Sequence, residues 1–487
     1  MTPKEFLKGK KALVMGLGVF GGGVASAKWL FGHGALVTVT DMKSEKELEV
    51  SLKKFTPTER KKITFVLGEH REKDFLENDI IVVNPGVPKE SRFLDRARKA
   101  GKRIENDASF FYRFVGNPTI GITGTRGKTT VTAWASALLS AKYKDVMPSG
   151  NTPENALLRE MARLGKISEV KPYLTPAISE LSSWQLEILP ASGKAPHVAV
   201  ITNVFPDHLN RYKDIEEYAR AKANIFTHQT KDDFLILNDA NNWTPFFLAL
   251  KPKSQIFFFS KKQKKHWPKN KNGVFVKDGA IVFQNDGESR VIADVKNFAE
   301  KMGEHNLENL LATVLAVTLL EPKLRITKKM VETLPQVPLR QEIIFSKNGL
   351  TVVNDSAGTS PDATIAALQR FKNVVLITGG TDKKLEFAEL AKEIKKTLKP
   401  EHLVLLNGSA TSKLITELEN IKFFKKTKPN LFETLDECIK AALSVLPKQK
   451  GVIIFSPGSA SFEKFRNEFD RGEKFAHSFL HNTLFKK

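Results

Sequence analysis

An apolar segment running into a glycine-rich turn and then a helix-length stretch occurs twice in this chain, and no other feature restricts the fold as much. The first copy is Ala12-Leu13-Val14-Met15, then Gly16-Leu17-Gly18-Val19-Phe20-Gly21, then Val24–Phe31, with Leu36-Val37-Thr38-Val39-Thr40-Asp41 following as a second strand. Strand, tight turn, helix and strand make a βαβ unit, the building block of a parallel sheet covered by helices. Its glycines let the backbone approach a phosphate held at the helix N-terminus, and Asp41 stands where a carboxylate can accept a bond from a ribose hydroxyl. Ile80-Ile81-Val82-Val83 adds a strand that ends in the rigid turn Asn84-Pro85-Gly86-Val87-Pro88. In the second copy Thr119-Ile120-Gly121-Ile122-Thr123 feeds Gly124-Thr125-Arg126-Gly127-Lys128-Thr129-Thr130, and a helix is expected over Thr130–Ala141.

The chain has 487 residues, room for three domains at roughly 150 residues each. The expected fold class is α/β throughout: a Rossmann-like N-terminal domain (1–112), a central P-loop-type ATPase domain (113–335) and a C-terminal Rossmann-like, doubly wound domain (336–487). The central domain is filled out by strands at Val198–Thr202 and Phe234–Leu237 and a helix over Asn306–Leu320. In the third, Leu350–Val353, Val374–Ile377, Leu403–Leu406 and Val452–Phe455 alternate with helix-length segments, which predicts a mostly parallel sheet. The single cysteine, Cys438, cannot form an internal disulfide, no signal-like apolar core follows Met1, and no apolar run is long enough to span a bilayer. A cytoplasmic protein with no membrane span is expected.

The formal charge of +22 admits three readings: a habit of the source's proteins, attraction of polyanionic small molecules, or nucleic-acid binding. The lysines are spread along the chain, the densest run (Lys261–Lys271) reads as a solvated loop, and no stacking-aromatic or recognition motif accompanies them. No specific nucleic-acid partner is expected. A nicotinamide-dependent dehydrogenase, the class suggested by the first glycine turn alone, leaves the second loop unexplained.

In that second loop, backbone N–H groups can wrap the β and γ phosphates, Lys128 supplies a charge that follows the transferring phosphate, and the Thr129 hydroxyl can reach Mg²⁺. Ile122 stands where the strict G-x-x-x-x-G-K-[ST] pattern has its first glycine, so a glycine turn with a surface lysine is the alternative. Taken one at a time, His208 reads more readily as a capping or satisfied polar residue and Lys222 as a solvated helix face, and Glu180 is open to a reading as a helix N-terminal charge.

The string Thr123-Gly124-Thr125-Arg126-Gly127-Lys128-Thr129-Thr130 resembles the phosphate loop of the Mur ligase family, ATP-dependent enzymes that add amino acids to a UDP-linked muramoyl precursor of peptidoglycan. Ser179-Glu180-Leu181-Ser182-Ser183-Trp184-Gln185-Leu186-Glu187 is similar to the family's E-L-S-S-[FW]-Q-L segment. Thr202-Asn203-Val204-Phe205-Pro206-Asp207-His208-Leu209-Asn210-Arg211 is similar to N-x-x-x-D-H-L-D-R. Lys222 stands where the family carries a carbamylated lysine. The resemblance implies ATP and Mg²⁺, the latter at two positions, with Thr129, Glu180, His208 and carbamylated Lys222 as metal ligands. It implies Lys128, His208, Lys222 and Arg340 as catalytic residues. ATP would be held by Gly124, Thr125, Arg126, Gly127, Lys128, Thr129 and Thr130, by Asn306 and Asn309 near the adenine (from Gly303-Glu304-His305-Asn306-Leu307-Glu308-Asn309), by Arg340 and by Asp355 at the ribose. The chain departs from the family at Arg126 (usually asparagine), at Leu339 before Arg340 (usually histidine), and at Ala357-Gly358 after Asn354-Asp355-Ser356, where a lysine is usual.

A dinucleotide-type turn at the start, together with Asn84–Pro88 and the tail Ser456-Pro457-Gly458-Ser459-Ala460-Ser461-Phe462-Glu463-Lys464-Phe465 with Arg471-Gly472, is similar to the family's D-glutamate-adding members. The implied partners are UDP-N-acetylmuramoyl-L-alanine, held by Gly18, Val19, Phe20, Asp41, Gly86, Asn151 and His208, and D-glutamate, held by Thr359, Lys383, Ser461 and Phe462. The implied reaction is ligation through an acyl phosphate in peptidoglycan precursor synthesis. A family member with another acceptor, such as L-glutamate, is the alternative, because Glu468 stands where an aromatic residue is usual. A monomer is expected. Arg340, Asp355 and Lys383 fall in a different expected domain from Lys128, which implies closure about a hinge near Gln336-Val337-Pro338.

Overall fold

The computed structural model describes residues 1–487 except 20, 151–155, 169–173, 210, 262–266, 426, 447–449 and 485–487. Phe20, Asn151 and residues 262–266 of the basic run at 261–271 therefore lie outside the described residues. The chain divides into two compact units, one comprising Met1–Pro206, Arg211–Val295 and Glu308–Leu334, the other Asp207–Asn210, Lys296–Leu307 and Pro335–Lys487.

The first unit holds two sheets. One is built from β1 (Lys11–Met15), β2 (Leu36–Asp41), β3 (Thr64–Leu67), β4 (Ile80–Val83) and β5 (Arg103–Glu105), in the order β3-β2-β1-β4-β5 and wholly parallel. Every residue of β4 is buried, which is why it reads as an unbroken apolar run: helices cover both faces of a parallel sheet. The order of strands reverses between β1 and β4, so the turns after them flank the crevice where open α/β sheets bind ligands.

The other sheet contains β6 (Thr119–Thr123), β7 (Pro148–Ser149), β8 (Ala177–Glu180), β9 (Val198–Ile201), β10 (Phe234–Asn238), β11 (Gln255–Ser260), β12 (Gly273–Lys277), β13 (Ala280–Asn285) and β14 (Glu288–Asp294). Its order is β14-β13-β12-β11-β10-β9-β6-β8-β7. The strands from β7 to β12 are parallel, and β12, β13 and β14 form an antiparallel meander. Sequence reading did not anticipate the meander, although its turns carry the signal: Asp278-Gly279 and Asp286-Gly287 have φ of 51°, 75°, 50° and 83°, the left-handed pairs that two-residue hairpins require. The helix expected at Asn306–Leu320 runs over Glu304–Leu320, and its stretch from Leu310 to Val317 is wholly buried. Among the described residues no helix is long and apolar enough to cross a membrane.

The second unit carries β15 (Glu342–Lys347), β16 (Leu350–Asn354), β17 (Val374–Thr378), β18 (Leu403–Leu406), β19 (Asn430–Phe432) and β20 (Gly451–Phe455), in the order β15-β16-β20-β17-β18-β19. All pairs are parallel except β15 with β16, joined through Asn348-Gly349 with φ of 55° and 83°. Apolar clusters pack on both faces, around Leu376 and Leu390 on one and Ile377, Ile453 and Phe455 on the other. The loops following β16, β17 and β20 leave the sheet side by side at its carboxyl end.

Candidate active site

The loop after β6 is shaped by two glycines and fastened by the strand beside it. Gly124 has φ of 145°, and a Cβ there would lie 1.9 Å from Thr202 Oγ1; at Gly127, φ is 82° and a Cβ would lie 2.1 Å from Asn309 Oδ1. Only glycine fits either position. Thr125 N donates to Asn203 O (2.9 Å) and Arg126 N to Asn203 Oδ1 (2.9 Å), while the Thr202 hydroxyl donates to Arg126 O (2.6 Å). The Arg126 guanidinium stacks over Phe205, 5.1 Å from the ring centre. Helix Lys128–Leu139 then opens with no side-chain cap. Its first-turn N–H groups have no partner within the helix and carry the positive end of its dipole, which makes this end an anion seat.

Two lysines converge on the loop. Lys128 Nζ donates to Gly124 O (3.0 Å) and Thr125 O (3.1 Å), and Lys222 Nζ donates to the same Gly124 O (2.9 Å). Lys222 lies on helix Ile215–Ala223 and is only 1% exposed, with Nζ 4.2 Å from the centre of the Tyr218 ring. The solvated-face reading of that lysine is thus excluded. Two ammonium groups on one carbonyl oxygen repel each other in a poorly solvated site, and an anion between them would relieve it. Glu180 ends β8, the strand bonded to β6 on the side opposite β9, and is buried. Among the described residues no three His, Cys, Asp or Glu side chains cluster for a metal ion. The donors present on the loop side, the Thr129 hydroxyl and the Glu180 carboxylate, suit Mg²⁺ once phosphate oxygens or a carbamylated lysine complete an oxygen set.

The first glycine turn is braced in a similar way. Gly18, with φ of 59°, donates its N–H to Asp41 Oδ2 (2.9 Å), while Lys43 N donates to Asp41 Oδ1 (2.9 Å). Both carboxylate oxygens of Asp41 therefore already accept backbone bonds and hold the turn. Asn84 Nδ2 donates to Gly16 O (3.0 Å), tying the turn that contains Gly86 to the one that contains Gly18 and the half-buried Val19. Gly23 lies so close beneath the turn that a Cβ would meet Gly16 O at 2.4 Å.

In the second unit His208 has φ of 56°, and its Nε2 lies 3.8 Å from Asp207 Oδ2. Asp207 also forms an ion pair with Lys383 at 3.0 Å. Burial opposes ionisation of this carboxyl, but the cations of Lys383 and His208 prevail and hold it at about 2. Asn306 donates to Met302 O (2.8 Å); Asn309, three residues on, shares its helix face.

Asp355, 3% exposed, follows β16 and accepts from Gln341 N (3.0 Å) and the Ser456 hydroxyl (2.6 Å). Burial raises its pKa to about 6 despite those bonds and the charge of Arg340. Arg340 Nη1 donates to Ala357 O. Around the same loops stand the half-buried Thr359 and Ser461, the latter 3% exposed with no hydrogen-bond partner for its hydroxyl, while Phe462 is 67% exposed. Sequence reasoning did not single out Thr202, Asn203 and Arg471. The first two sit inside a motif that was read for its histidine, and the third was read only as part of the tail's Arg471-Gly472 pair, which gives no sign that the arginine is buried.

A capless helix behind a glycine loop, two lysines on one loop carbonyl and carboxyl-end loops on parallel sheets define a phosphate-loop α/β protein. The comparisons narrow that class. The Mur ligase MurD-like N-terminal domain is matched over residues 10–105, the Mur ligase middle domain over 122–317, and the Mur ligase glutamate ligase domain over 339–458. The UDP-N-acetylmuramoylalanine--D-glutamate ligase of Roseiflexus sp. (strain RS-1) is 36% identical over 96% of this chain and 98% of its own, and that of Geobacter metallireducens 33% over 96% and 97%. The chain belongs to the Mur ligase family. Among solved structures, MurF from Acinetobacter baumannii superposes with a TM-score of 0.54 at 16% identity, covering 99% of this chain and 93% of its own. A pseudomurein peptide ligase type C from Methanothermus fervidus gives 0.52 at 19%, covering 97% and 99%. Both share the fold.

Proposed function

We propose that this chain is an ATP-dependent ligase that joins D-glutamate to UDP-N-acetylmuramoyl-L-alanine in peptidoglycan precursor synthesis. The observation that carries the reading is the pair of lysines, Lys128 and Lys222, both bonded to Gly124 O at the capless helix N-terminus. The near full-length similarity to D-glutamate ligases supplies the substrates.

The alanine carboxylate takes the γ-phosphoryl group of ATP, giving an acyl phosphate and ADP. The amine of D-glutamate then attacks the acyl carbon, phosphate leaves, a proton is lost and the amide remains. Residues 124–130 cradle the phosphates, and the Lys128 ammonium offsets charge that grows on the transferring oxygens. Thr129, Glu180 and carbamylated Lys222 would hold Mg²⁺, and His208 a second ion, and the metal would add neutralisation of the phosphate charge. Carbamylation turns the Lys222 cation into an anion, which removes its repulsion with Lys128. Asn306 and Asn309 lie at the adenine, Asp355 at the ribose and Arg340 at the γ-phosphate, while Thr359, Lys383, Ser461 and Phe462 receive the glutamate. Gly18, Val19, Asp41 and Gly86 line the UDP end, Asp41 by holding Gly18. The functional domains run over 1–112, 113–335 and 336–487, and the enzyme acts as a cytoplasmic monomer without a nucleic-acid partner.

Phosphate release from ATP with UDP-N-acetylmuramoyl-L-alanine, scanned over D-glutamate, L-glutamate and other amino acids, tests this. Release that depends on D-glutamate is expected. Release with L-glutamate alone would move the acceptor, and none with any amino acid would refute the ligase reading.

A further inference from the structure

Arg471, in the first turn of helix Glu468–Leu484, is wholly buried (0% exposed), which is rare for arginine. Its Nε donates to the Ser356 hydroxyl (3.1 Å), Nη1 to Ala460 O (2.9 Å), and Nη2 to Ser356 O (2.8 Å) and Ser459 O (3.1 Å). All of these acceptors are neutral. Burial lowers its pKa to about 10, against the pull of Glu468 and Asp355, so it is a cation at neutral pH.

Those four bonds join two loops, the one after β16 and the one after β20. A third is joined at the same point. Ala460 O also accepts from Thr381 N (3.0 Å), and Ala460 N donates back to Thr381 O (3.1 Å), which binds the loop after β17. Gly380 makes room for the arginine: its φ is 142°, and a Cβ there would lie 2.8 Å from Ala460 O and 3.4 Å from Nη1. Beside the carbonyls that Arg471 holds, the buried Ser461 hydroxyl has no partner, although unmet buried polar groups are costly.

We infer that Arg471 is a positioning residue for the acceptor amino acid: it clamps the loops after β16, β17 and β20 so that Ser461 meets the incoming carboxylate. This rests on the proposed ligase reading. Arg471 itself touches no substrate and acts through Ser461. A lysine in its place keeps the charge but cannot span four acceptors in a planar fork.

The test compares wild type, Arg471→Lys, Ser461→Ala and the double variant, varying each of the three substrates in turn. The positioning role predicts an acceptor KM about tenfold higher in each single variant, the equivalent of one charge-assisted hydrogen bond, with the KM for ATP changed less than about twofold. The double variant should be no worse than the worse single one, because both act through one contact. Equal rises in all KM values, or multiplied effects in the double variant, would overturn the role. Should Arg471→Lys not fold, Ser356→Ala removes the Nε acceptor together with the hydroxyl's own bond to Glu468 O, leaves the other three acceptors of Arg471 in place, and should raise the acceptor KM by about two- to threefold; an unchanged value overturns the role. A wild type inactive with D-glutamate refutes the ligase reading, whereas an active wild type with an unaffected Arg471→Lys variant refutes the positioning role alone.

Discussion

Replacing Asp355 by asparagine should make the protein more stable at pH 8 while weakening its hold on ATP. The buried carboxyl titrates at about 6 in the folded protein, against 3.8 for an ordinary aspartate, because burial penalises the anion. Between those values the folded state binds more protons than the unfolded state, so ionisation costs stability increasingly as pH rises through the window and fully above it. A shift of about two units corresponds to about 3 kcal/mol at pH 8, and to about half of that at pH 5, where the folded carboxyl is still mostly protonated. Asparagine resembles the protonated acid and can still serve Gln341 N and the Ser456 hydroxyl. The advantage of Asp355→Asn over wild type should therefore grow by about 1–2 kcal/mol from pH 5 to pH 8. Urea unfolding followed across that range measures it. A variant less stable than wild type at pH 8, or an advantage that does not change with pH, would refute the reasoning. The same variant should show a raised KM for ATP if the carboxylate binds the ribose.

Lys128→Ala should lower kcat roughly 100-fold or more, the cost of removing one fixed charge from a transition state, and steady-state kinetics would reveal a smaller role. Gly127→Ala puts a Cβ 2.1 Å from Asn309 Oδ1 at a φ of 82°, so about 1–2 kcal/mol of backbone strain plus displacement of Asn309 is expected; an unchanged melting temperature and ATP KM would count against the tight fit. Lys222→Arg keeps a cation but cannot form a carbamate, so activity should be lost and not recovered with bicarbonate, whereas wild type held in carbon-dioxide-free buffer should regain activity when bicarbonate is added. Phe455→Ala removes a ring stacked 4.4 Å from Phe475 in the core of the second unit and should cost about 3–5 kcal/mol on denaturant unfolding.

The parallel frame was legible because its strands are apolar on both faces and bounded by glycine turns. Leu36–Asp41, Ile80–Val83, Thr119–Thr123 and Leu403–Leu406 begin and end where the sequence puts them. The β12–β14 meander was missed because its last strand is mostly exposed and carries charge, and because the Asp-Gly turns that announce it were not weighed. At the phosphate loop the glycine positions and Lys128 could be read from spacing alone. That Lys222 is buried could not, since a lysine on a helix gives no sign of which face it occupies until Tyr218 and Gly124 close around it. Arg471 was visible only as part of an Arg-Gly pair, because its four acceptors come from residues more than ten positions away in sequence.

The central claim is that ATP activates the alanine carboxylate of the UDP-linked substrate. Labelling that carboxylate with ¹⁸O and analysing the inorganic phosphate by mass spectrometry tests it most directly. An acyl phosphate carries one carboxylate oxygen to phosphorus, so phosphate released with D-glutamate present should contain one labelled oxygen. Phosphate that carries no label, formed alongside the amide product, would contradict the account.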